Sequence, residues 1–234
     1  MYSCLVLICL GVAVGSGALW CFVAVLALAV FWAGHGGMYL DPHGDAIALI
    51  KEYLGGLDNV VEINLTDPAL KRQAGWNVFS MEGCQARDIE ARVSAVVDSF
   101  SAALGWGESS APRALTLTTM AAQALCELAL VLPPSLAPTI FSMATLLSDQ
   151  AWREAVLPYM SRHSREFWSV RFGKLEANAI TPVTNLIDRM RSSPTVAALL
   201  GSPRSTYDVR RAMDRGQVVL WSLGGTGAWA RLVS

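Results

Sequence analysis

From Cys4 to Trp32 the chain is an almost unbroken apolar run, CLVLICLGVAVGSGALWCFVAVLALAVFW. A bilayer-crossing helix needs about 20 predominantly apolar residues, and this run is longer. No Lys or Arg precedes it, and it exceeds the roughly 7–15 apolar residues of a cleavable signal sequence. Gly11, Gly15, Ser16 and Gly17 interrupt it. The leading expectation is one transmembrane helix within residues 4–33; the alternative is a buried strand, turn and helix in a globular core. Basic residues start at Lys51 and lie only on the C-terminal side. That bias predicts a single-pass membrane protein with a cytoplasmic C-terminal domain, the alternative being a cytoplasmic protein.

Beyond this run the pattern changes. Gly37-Met38-Tyr39-Leu40 is a short apolar strand stopped at Asp41-Pro42. Ala46, Ile47, Leu49, Ile50, Tyr53 and Leu54 recur at helical spacing until Gly55-Gly56. Val60–Ile63 reads as a second strand, and Val218–Leu223 as a third that ends at Gly224-Gly225. Between the last two, Ile89, Val93, Val96, Phe100 and Leu104 mark an amphipathic helix ending at Gly105. A further helix runs from about Pro112 to Leu132, stopped by Pro133-Pro134. Residues 149–191 read as mostly helical with breaks near Pro158 and Pro182, and a short helix follows around Tyr207–Met213 with Ser205 or Thr206 as N-cap.

Continuous apolar strands separated by helices argue for a parallel sheet covered by helices. The helical stretch of about 86–213 is too long for one crossover and is expected to be an inserted subdomain. The predicted fold class is therefore α/β, with an apolar segment over 1–35 and an α/β domain with its helical insertion over 36–234.

Charge refines this division. Residues 1–40 hold none of the 37 charged side chains, and the net charge of −1 gives no electrostatic reason for whole-surface nucleic-acid binding. With 53% hydrophobic residues the chain has ample material for a core, so disorder is excluded. Cys4, Cys9, Cys21, Cys84 and Cys126 form no CxxC pair, which excludes a disulfide scaffold and a zinc site of common spacing.

The most pointed chemistry is Asp41-Pro42-His43-Gly44-Asp45, two carboxylates and an imidazole at the carboxyl end of a strand, where ligands of open α/β sheets bind. It reads either as the polar rim of a nucleotide or metal site, or as a strand-to-helix turn in which Asp45 caps the helix.

In this context GGMYLDPHGDAIALIKEYL, DNVVEINLTDP and GWNVFSM resemble the hexameric P-loop ATPases of the HerA/FtsK superfamily, above all the TraG/TraD-type conjugative DNA-transfer ATPases and type IV secretion coupling proteins. The likeness continues through SMATLLSDQAWREAVLPYM, Phe167-Trp168, NAITPVTNLIDRM and STYDVRRAMDRGQVVLWSLGG, covering roughly residues 36–230. It implies a partial RecA-like P-loop sheet. It also implies cofactor-binding roles for Gly15, Ser16 and Gly17, placed 26 positions before Asp41 at the farthest, together with Asp41, His43 and Asp45.

Intact members of the family bind ATP and Mg²⁺ through GxxxxGK[ST], whose Lys neutralises the phosphates. Here Ala18 and Leu19 follow Gly17, and the one Gly-Lys pair, Gly173-Lys174, precedes Leu175. No acidic Walker B pair follows the third strand before Ser234. The expectation is a fragment of a DNA-translocase-type ATPase without hydrolysis of its own, no cofactor, no catalytic residue and no metal site. A truncated or frame-shifted remnant is preferred over a membrane-anchored, non-catalytic interaction protein; an active subunit completed by its neighbours is the weakest reading. Expected partners are further copies of the chain or transfer-machinery subunits, DNA by resemblance alone, and a membrane through residues 4–33.

Other polar groups carry blander readings. His163 between Arg162 and Arg165, and Arg204, Arg210, Arg211 and Arg215 beside Asp208 and Asp214, read as solvated faces. Trp106, Trp152, Trp168 and Trp221 read as core or interface fillers. Ser222 lacks the G-x-S-x-G context of a nucleophile elbow.

Overall fold

The computed structural model describes residues 37–41, 45–54, 58–65, 74–107, 110–175 and 177–222. The apolar segment expected to span a membrane, and the loop expected around Gly15, Ser16 and Gly17, lie outside them.

The contacts divide the chain into a sheet unit, made from residues up to Ala74 and from Tyr207 onward, and a helical unit from Gly75 to Thr206. In the sheet unit, β1 (Gly37–Asp41) leads to α1 (Asp45–Leu54) and β2 (Val60–Asn64); α9 (Val209–Asp214) and β3 (Val218–Ser222) close it. The strand order is β1-β3-β2, all parallel. β3 is central and buried at every position, which is why VVLWS reads as a continuous apolar run with no polar alternation. Ile47 and Ile50 of α1 are buried, and the helix packs on β1 and β3. Tyr207 sets its ring edge-on to Trp221 at 6.0 Å.

The helical unit is built around α3 (Pro112–Val131), which touches α2 (Ile89–Leu104), α4 (Ser142–Ser148), α6 (Arg162–Glu166) and α7 (Thr181–Ser192). Ala121, Ala122 and Ala124 are fully buried, and their small side chains let neighbours approach α3 closely. Gly105 ends α2 in the left-handed conformation, φ 65°, as its position after the amphipathic pattern predicts. Pro112 opens α3, where a missing N–H costs nothing. The break expected near Pro182 falls just before it: a short 3-10 turn, Ala177–Ile180, precedes α7, of which Pro182 is the second residue. α5 (Gln150–Val156) and α8 (Pro194–Leu200) complete the set, and a π-helical turn, Phe167–Arg171, continues α6.

By length and composition α3 is able to cross a membrane. More than half of it is buried inside the helical unit, however, and its Glu127 is a buried hydrogen-bonding hub. Glu127 accepts from Gln123 Nε2 at 2.8 Å, the Ser161 amide at 2.9 Å and Ser164 Oγ at 3.1 Å, anchoring the start of α6. These are the bonds of a buried core helix, in which a carboxylate is tolerated because its oxygens are satisfied.

The helical unit begins and ends at one place. The Thr206 amide donates to Gly75 O at 2.8 Å, and the Gly75 amide to Thr206 Oγ1 at 2.9 Å. One step inward, the Asn77 amide donates to Ser205 Oγ at 3.0 Å. The Asn77 side chain, 1% exposed, donates to Pro138 O and Pro203 O and accepts from the Phe79 amide. A Cβ on Gly75 would meet Ser202 Cβ at 2.5 Å, so only glycine fits there. Ser205 and Thr206, expected to cap the following helix, therefore serve this clasp. The cap of α9 is Asp208, whose Oδ1 accepts from the Arg211 amide at 3.1 Å.

Asn77 and the buried Cys126 of α3 both yield testable outcomes. Asn77→Ala removes the partner of one buried carbonyl, one half-buried carbonyl and one amide, so it should lower the stability of the helical unit by about 2–3 kcal/mol, read by urea unfolding. Burial pushes the Cys126 thiol from its usual value near 9.0 up to about 12, with Arg92 offsetting part of the rise. Cys126 should therefore resist thiol reagents in the native chain at pH 8 and react on unfolding, with mass spectrometry locating the label. Since its folded pKa is the raised one, the stability tied to the neutral thiol is full below pH 9 and falls between pH 9 and about 12.

Candidate functional site

Three polar residues end the three strands, and the parallel register brings them level. Asp41 stands opposite Ser222, and Asn64 stands opposite the same Ser222 from the other side. The carboxyl edge of the sheet is thus a row of carboxylate, hydroxyl and carboxamide, at the position where open α/β sheets hold their ligands. Asp41 is 2% exposed and Ser222 5%, while Asn64 is half-buried. Just past the row, the Leu65 amide donates to Ser222 O at 2.8 Å and extends the β2–β3 ladder.

Asp41 Oδ2 accepts from the Ile47 amide at 3.0 Å in a buried bond. This carboxylate therefore caps the first turn of α1 from the end of the preceding strand, where the helix dipole favours negative charge. Asp45, expected to be the cap, is itself the first helical residue. Of the turn read as a polar rim, the structure brings Asp41 to the start of the helix that Asp45 opens; His43 lies outside the described residues, as do Gly15, Ser16 and Gly17.

Chemically, the row offers hydrogen-bond acceptors and donors on a rigid frame. Among the described residues, no three His, Cys, Asp or Glu side chains gather as metal ligands. Ser222 closes a strand instead of occupying a sharp turn. Asn64 and the siting of Ser222 at the edge escape a motif search, yet their signal is simple. Each apolar strand, GMYLD, VVEIN and VVLWS, closes on a small polar residue.

The remaining candidates sort by burial. His163, Arg162 and Arg165 are exposed on α6, and Arg204, Arg211 and Arg215 are exposed at and around α9. Trp168 and Trp221 are buried and fill cores, whereas Trp106 is half-buried and stacks edge-on with Phe100 at 6.5 Å.

If Asp41 holds the helix start, Asp41→Ala should destabilise the chain by about 1–2 kcal/mol. Asp41→Asn, which keeps an acceptor oxygen, should cost less. Urea unfolding decides the point, because a residue kept only for a ligand would leave stability unchanged or raise it when removed.

No protein-family model matches the sequence, and no curated protein matches it either. Among solved structures the chain is similar to the bacterial conjugative coupling protein TrwBdeltaN70 in an unbound monoclinic form. The TM-score is 0.56 and the identity 14%, over 94% of this chain and 47% of that one. The chain thus spans about half the length of that structure. At this identity the likeness establishes the fold: an α/β arrangement in which a partial RecA-like P-loop sheet carries a helical insertion.

Proposed function

We propose that the chain is part of a conjugative-transfer-type ATPase domain that keeps the sheet and the helical unit but does not itself turn over ATP. The observation that carries this reading is the level row Asp41, Ser222 and Asn64 at the carboxyl edge of a parallel sheet. That is the nucleotide side of such sheets. The coupling-protein likeness over 94% of the chain supports it.

Triphosphate chemistry asks for more than this edge supplies. The β- and γ-phosphates need a cationic side chain and a hydroxyl on Mg²⁺, which the family takes from the Lys and Ser or Thr of its phosphate loop. At those places this sequence has Ala18 and Leu19, and an apolar pair offers the phosphates no charge-assisted hydrogen bond. Asp41 Oδ2 is already committed to the Ile47 amide, so this carboxylate serves folding before chemistry. The role that remains is a scaffold within a transfer machine, assembled with further copies or with other subunits.

The test is Mg-ATP binding by calorimetry together with phosphate release, both on the full chain. The expected result is no saturable binding below about 1 mM and no hydrolysis above the protein-free rate. Micromolar affinity for Mg-ATP, or turnover that survives further purification, overturns the reading.

A further inference from the structure

The helical unit carries a cleft of about 450 Å³ at the start of α3 and the end of the π-helical turn. That volume lies within the roughly 300–1,000 Å³ of small-molecule sites. Its floor is apolar and internal: Leu117 is 1% exposed, Phe167 4% and Ala179 6%. Its rim is cationic, from Arg113, Arg171 and Lys174, all exposed, and none of the residues lining it is acidic.

The backbone supplies a second, independent observation. Residues Phe167–Arg171 form a π-helical turn, closed by the Phe172 amide on Phe167 O. Such turns are rare, less stable than the α-helix they interrupt, and concentrated at functional sites. The wider turn brings both of its end residues to the cleft, Phe167 in the floor and Arg171 on the rim, with the guanidinium 5.6 Å from the ring centroid. A cation held against the aromatic wall of an apolar cavity is positioned before any ligand arrives.

We propose that this cleft binds a small organic anion with an apolar body, the body against Leu117, Phe167 and Ala179 and the acid group between Arg171 and Lys174. Apolar burial provides the binding energy, and the rim cations select the charge. Nucleic acid fits the cleft less well. Base stacking needs an exposed ring face, and the Phe167 ring is buried. The proposal does not depend on the ATPase reading, because every residue it uses lies within 112–179.

Calorimetry on the full chain with octanoate, decanoate and 1-naphthalenesulfonate tests it, with octanol and octylammonium as controls. Expected is one saturable site for the anions, at least tenfold tighter for octanoate than for octanol, with no saturation by octylammonium. The double variant Arg171→Gln, Lys174→Gln alters only exposed side chains. It should weaken octanoate at least tenfold, leave octanol unchanged and preserve the thermal melting curve. Thr116→Phe, at an exposed lining position, should weaken both probes by narrowing the cleft. The proposal is overturned if none of the three anions saturates, if octanol binds as tightly as octanoate, or if the charge-removing variant binds unchanged. Displacement of octanoate by an equimolar single-stranded oligonucleotide overturns it as well.

Discussion

The bonds between Gly75 and Thr206, set by the buried Asn77, impose the constraint on which the rest of the helical unit depends. A long insertion costs entropy when its ends must meet, and the cost is met most economically if the insertion folds into a body whose first and last residues already touch. Asn77 does this with one side chain. Both amide hydrogens and the carbonyl oxygen are used, on Pro203, Pro138 and Phe79, so three separate stretches of the unit are referred to a single buried group. Gly75 permits the approach, because a methyl group would collide with Ser202.

In the sheet unit the corresponding constraint is register. Asn59 Nδ2 donates to Gly216 O across 157 positions of sequence, and the Val218 amide donates to Asn59 O. These bonds at the amino end fix how β2 and β3 slide past each other. In a parallel sheet one fixed pair determines all the others, so the polar residues at the far end become level as a consequence. The candidate site is therefore a product of strand pairing, and its three side chains need no sequence proximity.

Much of this organisation is legible in the sequence, for a physical reason. Continuous apolar runs, helical periodicity and Pro or Gly punctuation are local signals, and they mark β1, α1, β2, α2, α3 and β3. What is not legible depends on groups brought together from afar. Ser205 and Thr206 look like N-caps because they precede a helix, but the Asn77 and Gly75 amides compete for their hydroxyls and Asp208 takes the cap. Pro182 reads equally as a stop or a start, and only the preceding short turn, Ala177–Ile180, decides. The run of helical patterns places the insertion at about 86–213, whereas contacts draw the helical unit at 75–206, since the clasp lies in a stretch without periodicity. Glu127 passes for a surface position on an apolar helix until Ser161 and Ser164 fold onto it. The π-helical turn has no sequence signature.

The same mapping bears on what the coupling-protein likeness is worth. Three of the segments that carry it correspond to bonds that hold the fold: DPHGD to the Asp41 cap on Ile47, GWN to the clasp, and STYD to the clasp and the cap of α9. Each makes the same contribution whether or not a nucleotide ever binds. Selection for folding alone is enough to retain them, so their presence is evidence of architecture and carries no information about turnover. Catalysis would be registered in residues that folding does not require, foremost a phosphate-loop lysine, and no Gly-Lys-Ser or Gly-Lys-Thr run occurs in the sequence. At 14% identity and a TM-score of 0.56 the structural likeness likewise speaks to the fold alone.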